Sequence, residues 1–160
     1  MNKNTKLMAI IVVVLIILLI IAVIVSNNKE VYTNNNLGVK FQYLQSFSKE
    51  DMNGLEHETV KFTSSNKKIY ISITKEEIGD MELDTIVDET IGIMGEDAPI
   101  KEEMTIDRKT AVKLAYIDEG ISLVQIYVVV NQRLYVLTYT ENSEENMDGI
   151  NKIISTLEFI

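Results

Sequence analysis

The chain of 160 residues has no cysteine, no tryptophan, one proline, one histidine and only two arginines. The missing cysteine excludes disulfides, thiol catalysis, attachment of lipid through sulfur and thiolate metal sites, and it is compatible with either side of a membrane. Arg108 and Arg133 stand in a chain of net charge −9, so there is no basic face on which a phosphate backbone could lie, and nucleic-acid binding is not expected. Pro99 and the small number of Gly and Ser stretches leave no flexible inter-domain linker. No internal repeat and no low-complexity tract is present.

What is abundant is unevenly placed. Leu7 to Val25 is an unbroken run of 19 apolar residues with no charge, polar side chain, glycine or proline, whereas residues 26–160 are ordinary in hydropathy at about 40% apolar. Lys3 and Lys6 precede the run, leaving 13 basic against 24 acidic residues after it, a net −11. As a helix the run is roughly 28 Å long at about 1.5 Å per residue, close to the roughly 30 Å hydrocarbon core of a bilayer. Twelve of its 19 residues are Ile or Val, mediocre helix formers in water, but in lipid only a helix satisfies every backbone group of a lone spanning segment. A cleaved secretory signal is the competing reading. The run exceeds the usual apolar length of about 7–15 residues, and its exit, Ala22-Val23-Ile24-Val25-Ser26, lacks an A-x-A site.

The expected organisation is a short cytoplasmic N-terminus (1–6), a transmembrane anchor held by the lipid bilayer (7–25), a spacer (26–30) and one soluble domain (31–160). Lys3, Lys6 and the amino terminus outweigh Lys29 beside Glu30 on the other flank, so positive-inside logic keeps the N-terminus in the cytoplasm and sends the domain out. A domain of net −11 is repelled by anionic headgroups and is expected to stand off the membrane.

Within the domain the periodicity is mixed. Val31–Thr33 and Val39–Tyr43 read as strands about the turn-rich Asn34–Gly38. Thr59–Thr63 and Lys68–Thr74 follow, with Ile69, Ile71 and Ile73 on one side. Leu83, Ile86, Val87, Ile91 and Met94 recur at helical spacing and predict a helix over Leu83–Met94. Thr110–Asp118, Ile121–Val130 and Arg133–Thr140 form a meander. In its middle strand both alternating sets are apolar except for Gln125, as expected of a central strand covered on both faces. Asn142 and Glu145 resemble a capping box opening a last helix with the stripe Met147, Ile150, Ile153, Ile154 and Leu157. These elements predict an α+β fold, an antiparallel sheet flanked by helices.

Particular stretches resemble a known family. They are Tyr32-Thr33 with Leu37-Gly38-Val39-Lys40-Phe41-Gln42-Tyr43, the helix start Leu83-Asp84-Thr85-Ile86-Val87, the hairpin Asn131 to Tyr139, and the closing Ile153-Ile154-Ser155-Thr156-Leu157-Glu158-Phe159. Together they are similar to PsbP-type domains, a family that includes a lumenal extrinsic subunit of photosystem II and prokaryotic relatives. The resemblance covers about 125 residues and its motifs are structural. It implies a PsbP-like α-β-α sandwich on the outer or lumenal side of a membrane, without implying photosynthesis. The chain departs from the family pattern at Leu44, where a proline is common, and at Arg108-Lys109, where a glycine is common.

Catalytic constellations are sparse. His57 is the lone histidine, and a nitrogen-ligated metal site needs several. Gly120-Ile121-Ser122-Leu123-Val124 begins like a nucleophile elbow but lacks the second glycine and falls in a strand pair. Acidic pairs are many (Glu50-Asp51, Glu76-Glu77, Asp88-Glu89, Glu96-Asp97, Glu102-Glu103, Asp118-Glu119, Glu144-Glu145), and none is singled out. Glu76 to Asp84 holds five acids in nine residues, a possible weak calcium site without the calcium-loop pattern. Tyr127, Tyr135 and Tyr139 line a groove or, more simply, pack across strands. No catalytic, cofactor or metal residue is assigned. The expected function is a non-catalytic binding or assembly module with an envelope protein as partner. The alternatives are a carboxylate-dependent envelope hydrolase and a weak cation- or small-ligand-binding domain.

Overall fold

The computed structural model describes residues 11, 12, 14–18, 28–53, 58–67, 70–94, 99–141 and 147–160. The described residues of the apolar run, 11, 12 and 14–18, are helical. Among the described residues no helix is long and apolar enough to cross a membrane, and most of Leu7–Val25 lies outside them.

Among the described residues the domain has ten strands and two helices. β1 (Lys29–Asn34) and β2 (Val39–Leu44) form a hairpin, followed by β3 (Ser48–Asn53), β4 (Glu58–Thr63) and β5 (Tyr70–Glu77). Then come α1 (Leu83–Met94), β6 (Ile100–Ile106), β7 (Lys109–Asp118), β8 (Ile121–Val130), β9 (Arg133–Thr140), α2 (Asp148–Thr156) and the two-residue β10 (Glu158–Phe159). The strands divide into a large antiparallel sheet of order β3-β4-β5-β9-β8-β7-β6 and a small one of order β1-β2-β10.

The large sheet separates two cores. On its inner face Val60, Phe62, Ile71, Ile73, Val124, Ile126, Val128 and Leu137 meet Val39 and Phe41 of the small sheet and Ile150, Ile153 and Leu157 of the last helix region, all buried. Tyr32, Phe41 and Phe62 stack with ring centroids 5.1–5.3 Å apart and join the two sheets. On the outer face α1 sets Ile86 and Val87 against Val112, Leu114, Tyr127 and Leu134. Both alternating sets of β8 are therefore covered, as its apolar sequence requires. The misfit Gln125 accepts a hydrogen bond from the Tyr127 hydroxyl at 2.7 Å.

The hairpins β6–β7, β7–β8 and β8–β9 turn through Asp107-Arg108, Glu119-Gly120 and Asn131-Gln132, each with positive φ at both positions. That matches the right-handed twist of the flanking strands. It also leaves Arg108 (φ 62°) and Gln132 (φ 63°) in the left-handed region without glycine's freedom.

Several expectations need correction. The strands belong to two sheets, because β2 takes β1 on one side and the C-terminal β10 on the other. β3, β6 and β10 were not expected: β3 (Ser-Lys-Glu-Asp-Met-Asn) and β6 (Ile-Lys-Glu-Glu-Met-Thr-Ile) are edge strands whose charges erase the apolar alternation. β5 runs on to Glu77, with Lys68 and Ile69 outside the described residues. The last helix starts at Asp148, with Met147 in the N-cap position and no side-chain cap. Residues 142–146 themselves lie outside the described residues.

Candidate functional site

The polar side chains that converge do so mainly where the small sheet meets its neighbours. Tyr32, on β1, donates from its hydroxyl to Asp51 Oδ1 on β3 at 2.7 Å and accepts from Asn34 Nδ2 at 2.9 Å. Lys49 completes the group, 3.2 Å from Asp51 Oδ2 and 5.2 Å from the centre of the Tyr32 ring. Burial, with the Asp51 carboxylate beside it, pushes the Tyr32 hydroxyl up to about 12 against the lowering influence of Asn34. The Tyr32 hydrogen bond and the Lys49 ammonium in turn hold Asp51 below its ordinary value, against its partial desolvation. A phenol held neutral and a carboxylate held ionised neither give up nor take a proton near neutrality, so the group ties β1 to β3 and is unsuited to acid–base chemistry. Tyr43 is pinned likewise, donating to Glu30 Oε2 at 2.5 Å, which pushes its hydroxyl up to about 12.

A cleft of about 260 Å³ opens on the other side of the small sheet, lined by Val31, Lys40, Phe41, Gln42, Ser155, Thr156 and Glu158. It exists because the β2–β10 ladder stops after Lys40↔Glu158. In place of a further ladder pair, Thr156 Oγ1 accepts from the Gln42 backbone N–H at 2.9 Å and donates to the Lys152 carbonyl at 2.7 Å. Lys40 and Glu158 pair at 3.0 Å at the mouth. The cleft lies below the usual ligand-pocket range of roughly 300–1,000 Å³. Its polar groups are engaged with each other, so it suits contact with a surface group better than enclosure of a substrate.

The outer face away from α1 carries hydroxyls and tyrosine. Thr59 and Thr74 pair at 3.0 Å, Ser72 Oγ reaches the Thr138 carbonyl at 3.4 Å, and the Lys61 ammonium sits 4.6 Å from the Tyr70 ring centre. These side chains are half-buried.

Among the described residues, those weighed from sequence are not brought together in one centre. His57, Glu96-Asp97 and Glu144-Glu145 lie outside the described residues. Ser122 is half-buried within β8, opposite Ile117, and its carbonyl accepts from Glu141 N. In the acidic segment Glu76–Asp84, Glu77 Oε1 at the end of β5 accepts from Arg133 Nε at 2.8 Å and Asp80 Oδ1 from Gln132 Nε2 at 2.6 Å. Among the described residues no group of three or more His, Asp or Glu could hold a metal ion. Tyr135 and Tyr139 lie in the inner core and Tyr127 in the outer one, each 3–7% exposed, so they pack across strands and line no groove. Sequence reasoning missed the Tyr32–Asp51–Lys49 group and the cleft, because each joins residues far apart in the chain and half of the first lies on an unexpected strand.

The sequence matches no family model and no curated protein. Solved structures are similar in fold. One is the solution structure of cyanobacterial PsbP (CyanoP) from Synechocystis, at TM-score 0.60 and 11% identity over 82% of this chain and 92% of that one. Another is a crystal structure from Bacteroides thetaiotaomicron, at TM-score 0.54 and 11% identity; the match covers 84% of this chain and 49% of that longer one. At such identity the likeness is one of fold. The two antiparallel sheets of the described residues, an α-helix on either face of the large one, and this correspondence over most of the chain give it a PsbP-like fold.

Proposed function

We propose that this protein is a single-pass membrane protein whose PsbP-like domain stands outside the cytoplasm and serves as a non-catalytic binding or assembly module for an envelope protein. The observation that carries the reading is the charge-free run Leu7–Val25 placed a few residues ahead of a domain of net charge −11. The fold adds support, since it is similar to that of cyanobacterial PsbP (CyanoP). So does the use of polar groups: Asp51, Glu58, Glu77, Asp88, Glu102 and Glu158 each pair with a lysine or arginine on another strand or nearby. Carboxylates held in this way brace a surface for recognition and are engaged by a counter-charge.

The test uses the full chain in its native membranes, carrying a photo-cross-linking residue at Ser72 on the open outer face. Retention in the membrane after an alkaline wash, with one discrete cross-linked envelope protein, is the expected result. Release by the wash would contradict anchoring. Turnover of a substrate that disappears on changing a single Asp or Glu would contradict the non-catalytic assignment and favour a carboxylate-dependent hydrolase.

A further inference from the structure

Four exposed isoleucines gather at one end of the domain. Residues paired across the large sheet form a row, Lys49↔Phe62, Phe62↔Ile71, Ile71↔Tyr139, Tyr139↔Val124, Val124↔Ala115 and Ala115↔Ile100, which marks one level on all seven strands. Beyond that level lies the β7–β8 turn with Ile117 and Ile121, and α1 runs toward the same end, its last turn carrying Ile93. Ile93, Ile100, Ile117 and Ile121 are 53–87% exposed. Ile100 and Ile117 are diagonal neighbours on one face of the β6–β7 pair, close enough to form one patch. The opposite end of the sheet offers Met52, Met81 and the terminal Ile160, none of them a branched side chain grouped with another on neighbouring strands.

The polypeptide enters the domain at the isoleucine end. Asn28, whose carbonyl accepts from Gln45 N at 2.8 Å, precedes Lys29, which pairs with Leu44; four residues after Leu44 the chain begins β3 at Ser48, beside the row. From Val25, the last residue of the apolar run, to Lys29 there are four residue steps, at most about 14 Å of extended chain.

We infer that the end of the domain bearing Ile93, Ile100, Ile117 and Ile121 rests on the bilayer, its isoleucines seated in the lipid interface. This rests on the reading of Leu7–Val25 as an anchor. A tether that short holds the entry end against the membrane, and at that end the exposed side chains are branched aliphatics that lose water-exposed area by entering lipid. The net charge of −11 led to the expectation of a domain held off the surface, but that number averages over the whole domain. Locally, Asp118 and Glu119 at the β7–β8 turn, with Glu30 and Glu141, stand with Lys29 and Lys67 at the same end, all exposed, so this end is only mildly acidic. Contact is therefore expected with zwitterionic lipid and is weakened by anionic lipid.

The chain has no tryptophan, so a single introduced one reports on its own surroundings. The Ile117→Trp, Ile100→Trp and Met81→Trp variants of the full chain are reconstituted in phosphatidylcholine vesicles, with and without phosphatidylcholine bearing an acyl-chain nitroxide. All three sites are exposed, so the fold tolerates the larger ring. Blue-shifted emission quenched by the nitroxide lipid is expected for the Ile117→Trp and Ile100→Trp variants, and unshifted, unquenched emission for Met81→Trp. If the chain co-floats with the vesicles but all three variants behave alike, the orientation is overturned while anchoring stands. A blue shift without lipid quenching would overturn it in favour of protein contact, such as a second copy. Failure to co-float would remove the anchor reading and this inference with it.

Discussion

Gly149→Ala gives a sharp test of how the last helix packs. Gly149 is the second residue of α2 and is buried. A methyl group there would stand 2.3 Å from Phe47 Cε2 and 2.5 Å from Cζ, where unstrained carbon contacts lie near 3.5–4.0 Å. Phe47 is only 9% exposed and belongs to the inner core, so its ring cannot swing into solvent. By intrinsic propensity alone, alanine in place of a helical glycine stabilises by up to about 1 kcal/mol. Overpacking a core of this kind costs about 1–3 kcal/mol. The second effect is larger, and a net loss of about 1–2 kcal/mol is expected. Urea unfolding followed by circular dichroism should show a lower midpoint with an unchanged slope. Phe47→Leu should cost stability in the wild-type background yet less, or nothing, beside Gly149→Ala, because the shorter side chain vacates the contested space. A Gly149→Ala variant as stable as the parent or more so would refute the close approach of α2 to Phe47.

Three further predictions use the same unfolding assay. Arg108→Gly should stabilise by about 0.5–1 kcal/mol, because Arg108 holds φ at 62° in an exposed two-residue turn; an unchanged or lower midpoint would show that the arginine makes a compensating contact. Thr156→Val keeps the shape but leaves the Gln42 N–H without its acceptor, for an expected loss of about 1–2 kcal/mol, whereas a neutral result would mean that water replaces the hydroxyl. Tyr32→Phe should cost about 1 kcal/mol near neutrality, a figure reduced because Asp51 is 40% exposed. Its pH dependence follows from sign: Asp51 is depressed when folded, so the stability it contributes is present above the ordinary carboxylate value and lost as pH falls through the folded one, and the gap between parent and variant should close in acid. The Tyr32 hydroxyl is raised to about 12, so the stability it contributes is present below about pH 10 and lost between about 10 and 12, a decline that the variant should show less steeply. Parallel curves for parent and variant at both extremes would refute the Tyr32–Asp51 link.

Sequence pattern reveals the parts of this fold whose periodicity is set by burial. β8 is apolar on both faces because it lies in the middle of the large sheet with a core on either side, and α1 is bounded correctly at Leu83 and Met94 because its apolar stripe covers Val112 and Leu114. The pattern fails at the edges. β3 and β6 carry Lys49, Glu50 and Asp51 or Lys101, Glu102 and Glu103 because an unpaired edge is kept from aggregating by charge, which is the opposite of a strand signal. Partnership is also invisible, since period-two alternation marks a strand without naming its neighbour; hence the small sheet with β10 was unforeseen. Asn142 and Glu145 have the spacing of a capping box and lie outside the described residues, while the helix begins at Asp148, six residues on from Asn142. The cleft was illegible for a related reason: its lining comes from residues 31, 40–42 and 155–158, which are joined only once β2 and α2 pack.

The central claim, an anchored domain facing outward, is tested most directly by its topology. Because the chain has no cysteine, Ser65→Cys at the exposed β4–β5 turn creates a unique thiol in the domain. In intact cells a membrane-impermeant maleimide should label this variant of the full chain as fully as it does after the membrane is permeabilised. Labelling only after permeabilisation would place the domain in the cytoplasm and contradict the account.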